Sequence, residues 1–260
     1  MNRPPPVARP TAVICIALLL ISGCVGGQDP GDTSPKAIPT ASLAIDEPSV
    51  ASSPGARPLR NPDVDPGVTE ILEPGTYVLD RFPVDLAFDI PDGEPPGWHA
   101  GQATADTAIV LWYTPPDITY GFAFWNVDNV YADPCNAAAG ELEPAIGPSV
   151  DDLVAALSSL PGLQASAPVD VTIGAFQGRE IELTTLDFEG CPQITVFTSG
   201  DPDLAANYVN PLPGETFRVQ ILDVDGVRIV LYTHAPAQRD AAVEAELQQI
   251  LDTIRIEPLP

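Results

Sequence analysis

The chain has 260 residues and carries 36 acidic against 11 basic side chains, a formal net charge of −25. That balance repels phosphate backbones and excludes nucleic-acid binding. A hydrophobic content of 45% is too high for a wholly disordered protein, while the 31 prolines are more than double the usual share of about 5%.

Arg3 and Arg9 give a positive start, and Thr11 to Ser22 is an uncharged, mostly apolar run. About twelve residues suits the core of a signal peptide and falls short of the roughly 20 a spanning helix needs. The run closes with Leu20-Ile21-Ser22-Gly23-Cys24, which resembles the bacterial lipobox: the Cys thiol is acylated and the preceding peptide removed. The expectation is a signal peptide over 1–23, a lipidated Cys24 and an extracytoplasmic location. A plain secretory signal with an incidental Cys is the alternative. Losing residues 1–23 leaves 9 basic against 36 acidic side chains, a net −27. More than one acyl chain on Cys24 is needed for a stable hold on the membrane.

Residues 25–66 contain eight prolines, many Ser, Ala and Gly, and no aromatic residue. Such a segment buries too little apolar surface to offset its ordering entropy. The segment 24–66 reads as a disordered tether reaching roughly 35 Å as a flexible coil. Every Trp, Tyr and Phe lies after position 66, which places the folded unit at 67–260.

Within it, Val84 to Ile90 alternates apolar and polar residues as a half-buried strand does. Thr107 to Thr114 and Ile118 to Val127 are aromatic and β-branched runs joined by Pro115-Pro116-Asp117, a hairpin pattern. Ser149 to Asp152 reads as a capping box opening a helix over 149–160, with Leu153, Val154, Leu157 and Leu160 on one face and Pro161-Gly162 as its stop. Val169 to Ile173 and Arg179 to Thr185 suggest a second hairpin turning near Gln177-Gly178. Thr216 to Val224 and Val227 to His234 flank Asp225-Gly226, the best short-range hairpin signal in the chain. A second helix, from about Ala237 to Thr253, has Val243, Leu247, Ile250 and Leu251 at helical spacing, and Ile254 to Glu257 suggests a closing strand. Two helices, each apolar along one stripe, are expected to cover an antiparallel sheet in an α+β domain.

Cys15 leaves with the signal and Cys24 is acylated, so Cys135 and Cys191 remain in an oxidising compartment, where one disulfide is the simplest pairing. It would close a loop of about 57 residues, worth roughly 4 kcal/mol in the chain-entropy account. Free thiols or a metal site are the alternatives.

No catalytic constellation stands out. His99 and His234 are the only histidines, no Gly-x-Ser-x-Gly elbow is present, and Ser149 serves better as a helix cap. Asp106-Thr107 and Asp252-Thr253 lack the glycine that an aspartic protease places next. Asp201-Pro202-Asp203 and Asp223-Val224-Asp225-Gly226 place oxygen ligands near turns, but neither carries the Glu of an EF-hand loop. No metal or cofactor is therefore expected. The aromatic stretch raises a binding surface instead: Trp112 and Trp125 would line one face of the 107–127 hairpin. A loop from Pro91 to Ala105, carrying Trp98 and His99, would cover it. A hairpin buried on both faces is the competing reading of the same residues.

Phe88-Asp89-Ile90-Pro91 followed by Gly97-Trp98, the capped helix at 149–160, Val169 to Gly174 leading to Gly178, and Val227 to Thr233 before a helix ending in Ile250 to Arg255 together resemble the PsbP-like fold of small exported lipoproteins of the actinobacterial LpqN type. The resemblance spans about 84–257. The Cys135 and Cys191 pair is not part of the general pattern and marks a separate subfamily. The resemblance implies an antiparallel sheet with helices packed on it and a non-catalytic accessory or binding role. It carries no catalytic residue across. The expected function is a lipid-anchored, non-enzymatic binding module of the cell envelope, whose partner is an envelope protein or a small ligand. The alternative is an envelope hydrolase using a carboxylate pair, with or without calcium.

Overall fold

The computed structural model describes residues 55–60, 71–92, 97–103, 106–114, 118–186, 191, 194–198, 214–236 and 240–257. The side chains of Gln102, 112–114, 118 and 119 are outside this set. The chain divides into units 1–45 and 46–260, and all described residues belong to the second. The signal, the lipobox and Cys24 lie outside the described residues. No helix among those described is long and apolar enough to cross a membrane.

The unit is α+β, as expected. Its main sheet is antiparallel in the order β4 (Trp98–Ala103), β5 (Thr107–Thr114), β6 (Ile118–Asn126), β13 (Val227–His234), β12 (Thr216–Val224), β10 (Phe176–Thr185) and β8 (Leu163–Ala165), and β9 (Val169–Ile173) also pairs with β10. A smaller sheet runs β1 (Arg57–Pro58), β2 (Gly75–Val78), β3 (Asp85–Ile90), β14 (Arg255–Glu257), with β1 parallel to β2. A third pairing joins β7 (Asn129–Val130) to β11 (Phe197–Thr198). The helices are α1 (Val150–Ser159) and α2 (Ala241–Leu251).

Period-two alternation in β6 and β13 feeds two separate cores. Tyr120, Phe122 and Phe124 of β6 join Ile229 and Leu231 of β13, and pack beneath α2 and the smaller sheet. There Phe122 meets Phe88 edge to face at 5.2 Å. Ala123 and Trp125 of β6 join Val230 and Tyr232 on the opposite face, under α1 and the segment around β7 and β11. Strand β6 is thus covered on both sides, in keeping with the reading of a hairpin buried on both faces.

Helix α1 begins at Ser149, whose hydroxyl accepts from the Asp152 amide at 3.1 Å while the Asp152 carboxylate accepts from the Ser149 amide at 3.1 Å. The Ser149 hydroxyl also donates to that carboxylate at 2.6 Å, and this bond, first, and then the one from the Ser149 amide hold the Asp152 carboxyl below its usual range. Helix α2 begins at Asp240, which accepts from the Ala242 amide at 2.8 Å. It is pinned to the sheet by the Trp98 Nε1–H donating to Glu246 at 2.8 Å and by Tyr120 Oη accepting from the Asp240 amide.

Two boundaries differ from the sequence reading. The folded unit starts before residue 67: Arg57 pairs with Tyr77 in register, Leu59 is buried, and Arg60 bridges Asp80 at 2.7 Å. A proline-rich composition hides this strand, because Pro58 sits at a sheet edge where no ladder donor is needed. The second hairpin turns at Gly174-Ala175, with Gly174 at φ +60, rather than at Gln177-Gly178. A glycine with positive φ at the first central position suits a two-residue type II′ turn. Asp225 and Gly226, at φ +50 and +90, form the expected primed turn between β12 and β13.

Cys135 and Cys191 form a disulfide with Cα atoms 5.3 Å apart. It lies beside the Thr195 amide donating to the Pro134 carbonyl at 2.8 Å, so covalent and main-chain links tie the 194–198 segment to the 131–136 turn.

Two arginines knit the layers. Arg228 of β13 donates to the carbonyls of Gly147 and Ser149 ahead of α1 and to Val127 and Asp128 after β6. Arg255 of β14 forks onto Asp89 of β3 at 2.9 and 3.1 Å, and Thr76 of β2 donates to the same carboxylate at 2.6 Å. The Arg255 hydrogen bonds, first, hold the Asp89 carboxyl below the usual range against the opposing effect of burial, and Thr76 adds a smaller pull in the same direction as Arg255.

Replacing Arg228 by Met is expected to cost about 2 kcal/mol in urea unfolding, since carbonyls of two loops lose a charged donor together. Arg228→Lys should recover only part of this, because an ammonium cannot span both loops. The Asp89 contribution has the opposite pH sense to that of a raised group. It is full above the unfolded carboxyl pKa of about 4 and is lost as pH falls through the lower folded value. Asp89→Asn should therefore be less stable than wild type at pH 7 and lose less stability than wild type between pH 4 and 2. Parallel loss in the two proteins would rule this role out.

Candidate functional site

Sheet and helix leave one broad hollow on the α2 side. On that face β10 presents Glu180, Glu182 and Thr184, and β12 presents Thr216, Arg218 and Gln220, in register as Glu180–Gln220, Glu182–Arg218 and Thr184–Thr216. Thr233 of β13 stands opposite Arg218 and extends the row. This polar floor runs on from the apolar rows Leu222, Val224 and Ile229, Leu231 that α2 and the smaller sheet cover. Alternation of polar and apolar side chains along β12 therefore gives one strand two neighbours: a core at its far end and water at its near end.

The wall is α2. A cavity of about 240 Å³ lies between Thr216, Arg218 and Thr233 on the floor and Glu244, Gln248 and Leu251 on the helix. A second, of about 400 Å³, shares Arg218, Gln248 and Leu251 and reaches Ile173 and Gly174 of the β9 hairpin. The shared residues make the two cavities bays of one groove.

Its floor is internally bonded. Thr184 and Thr216 hydroxyls lie 2.8 Å apart, and the Gln220 amide donates to Glu180 at 2.7 Å. Arg218 sits between two carboxylates, with Nε 3.4 Å from Glu180 and Nη2 3.9 Å from Glu182. At the helix, Gln248 donates to Asp252 at 2.8 Å. Three carboxylates, those of Glu182, Glu244 and Asp252, thus border the groove against one guanidinium, which Glu180 also flanks. Such a lining attracts amines and repels anions.

His234 borders one end. Its Nε2 lies 3.2 Å from the buried Glu215 carboxylate, and its ring stacks on Tyr232 at 6.4 Å. Burial, first, and then the Glu215 charge push the Tyr232 hydroxyl well above its ordinary value, so it stays protonated. Among the described residues no group of three or more His, Cys, Asp or Glu is placed to hold a metal ion.

Two of the three tryptophans read as a binding surface from the sequence, Trp98 and Trp125, are buried instead. Trp98 and Trp125 are each 1% exposed. Trp98 belongs to strand β4, paired with β5 at Trp98–Trp112, where a loop was expected from Pro91 to Ala105. Trp125 packs on Phe197 at 6.0 Å in the core under α1. The register also separates the positions: Trp112 pairs with Tyr120 and Trp125 with Thr107, and positions 120 and 125 fall on opposite faces of the sheet. The Trp112 side chain lies outside the described residues. The aromatic density is core chemistry, because a central hairpin must fill both faces with bulk.

The groove residues carried a readable signal that aromatic density overshadowed. Thr216-Phe-Arg218-Val-Gln220 and Glu180-Ile-Glu182-Leu-Thr184 alternate strictly, which marks one wet face on two adjacent strands.

Trp125→Ala should lower stability by roughly 3–5 kcal/mol, as expected of a buried aromatic. A variant that unfolds at the wild-type urea midpoint would contradict its placement in the core. No family model matches the chain and no curated protein is similar to it, so the functional reading rests on the chain's own residues.

Proposed function

We propose that this is a lipid-anchored binding module of the cell envelope, held outside the membrane through acylated Cys24 and binding amine-bearing ligands in the groove beneath α2. The lipobox residues 20–24 and the apolar run before them support the anchor, and the 25–54 stretch supports a tether. A PsbP-like affiliation fits the antiparallel sheet with two helices.

The observation that carries the ligand class is the groove itself. It is concave, floored by side chains already fixed by mutual hydrogen bonds, and bordered by three carboxylates around one guanidinium. Fixed polar groups in a hollow bind without first paying for their own ordering. Glu182 and Glu244 stand on facing walls of the smaller bay, where one ammonium could meet both. The role is non-enzymatic: the ligand is held and presented at the end of a tether.

The test uses the unlipidated mature chain, residues 24–260 with Cys24→Ser, and spermidine as probe. Spermidine is expected to raise the thermal midpoint by a few degrees in the wild-type groove. Glu182→Gln with Glu244→Gln should remove most of that shift. No shift, or an equal shift in the double variant, would overturn the ligand class. In cells, Cys24→Ser should move the protein from the membrane fraction to the soluble one, and its retention on the membrane would overturn the anchor.

A further inference from the structure

The main sheet ends differently at its two sides. At β4 the edge is covered and broken: the Leu72 amide donates to the Trp98 carbonyl at 2.7 Å, Ile71 bridges His99, and the register shifts between Ala100 and Ala103. Such devices keep a strand edge from pairing with other chains. At the other side β9 is regular, five residues paired one to one with β10. It contains neither lysine, proline nor bulge.

The type II′ turn sets which atoms this edge offers. Ile173 and Phe176 flank the turn as a hydrogen-bonded pair, so Val171 and Val169 also direct their amides and carbonyls to β10. Asp170 and Thr172 therefore turn theirs outward, and both residues are exposed. Val169 is 54% exposed. A hollow borders β9 on each face. One, of about 380 Å³, lies toward the start of α1 and is bounded by Asp151, Asp170 and Arg179. The other is the larger bay beside α2, bounded here by Val171 and Ile173.

We propose that the outer edge of β9 captures an extended peptide segment in which lysine alternates with β-branched residues, adding it to the sheet as one more strand. The backbone of Asp170 and Thr172 supplies the hydrogen bonds, and the two faces supply selectivity for alternate side chains. On the α1 side, Asp151 and Asp170 share the single guanidinium of Arg179 at 3.4 Å and in a shorter contact, leaving an excess of negative charge for lysines. On the α2 side, Val169 and Val171 offer an apolar strip to valine or threonine. A second copy of this chain is the wrong occupant, because each copy carries a net charge of −25. The surface is distinct from the floor of the groove, and the inference stands or falls separately from the ligand proposed there.

The experiment measures fluorescence anisotropy of a labelled octapeptide, Lys-Val-Lys-Thr-Lys-Val-Lys-Thr, titrated with the Cys24→Ser mature chain. Saturable binding is expected. It should weaken at least tenfold when alternate amides of the peptide are N-methylated, and it should vanish when glutamate replaces lysine. Thr172→Pro removes only an outward amide, so it should keep the fold by circular dichroism and weaken binding at least tenfold. Amide exchange of the wild type guards against a misfolded proline variant: the Asp170 and Thr172 amides should slow at least tenfold with peptide. Absent binding, equal binding by the N-methylated or glutamate peptide, unchanged exchange, or a dimer in sedimentation that Thr172→Pro dissolves would each overturn the proposal.

Discussion

Everything in this domain is organised by the pairing of β6 with β13, residues 121–126 against 229–234. These strands are central in the main sheet, and each feeds alternate side chains into a different core. A strand with bulk on both faces cannot lie at a surface, so the pairing requires a cover above and below. The cover above is α2 with the smaller sheet, and the cover below is α1 with the segment joined by the disulfide. Both helices and both loops around β13 therefore answer to one requirement, to keep Phe122, Phe124 and Trp125 out of water.

Arg228 shows how that requirement is met at the end of the pair. Residues 127–128 and 147–149 must leave the sheet and pass under it, and their carbonyls have no strand partner there. One guanidinium on β13 satisfies them together, and burial lowers its pKa while Asp152 and Asp128 oppose the shift. The chain thus uses a charge from its central strand where a backbone ladder cannot reach. Arg255 does the same for the smaller sheet, joining β14, β3 and β2 through Asp89.

Helices and hairpins were legible because each carries a local physical mark: Ser149 with Asp152 for a cap, Asp225-Gly226 for a primed turn, alternation for 85–90. What escaped depends on partners distant in sequence. Residues 57–58 form a strand only because Tyr77 and Val78 are beside them, and Trp98 is a strand residue only because it meets position 112. The aromatic density between 112 and 131 told correctly that bulk is concentrated there but not on which side of the surface. The groove was the reverse case. Glu180, Glu182, Arg218 and Gln220 announce a wet face by alternation, yet only the placement of α2 along half of that face turns it into a hollow.

The acidic balance then acquires a location. Among the described residues, acids gather on the uncovered part of the main sheet, at the starts of the helices and on the β9 edge. In those places the few arginines are spent on internal work: Arg179 on Asp151 and Asp170, Arg218 on Glu180 and Glu182, Arg228 on carbonyls. Each is committed to acids or carbonyls of its own chain, so none stands as a free cation to attract an anion. In those places what faces outward is negative charge, with Asp170, Glu180 and Glu182 held on strands. A surface built this way discriminates by repulsion as much as by attraction, turning away anionic polymers and copies of itself while leaving amines free to approach.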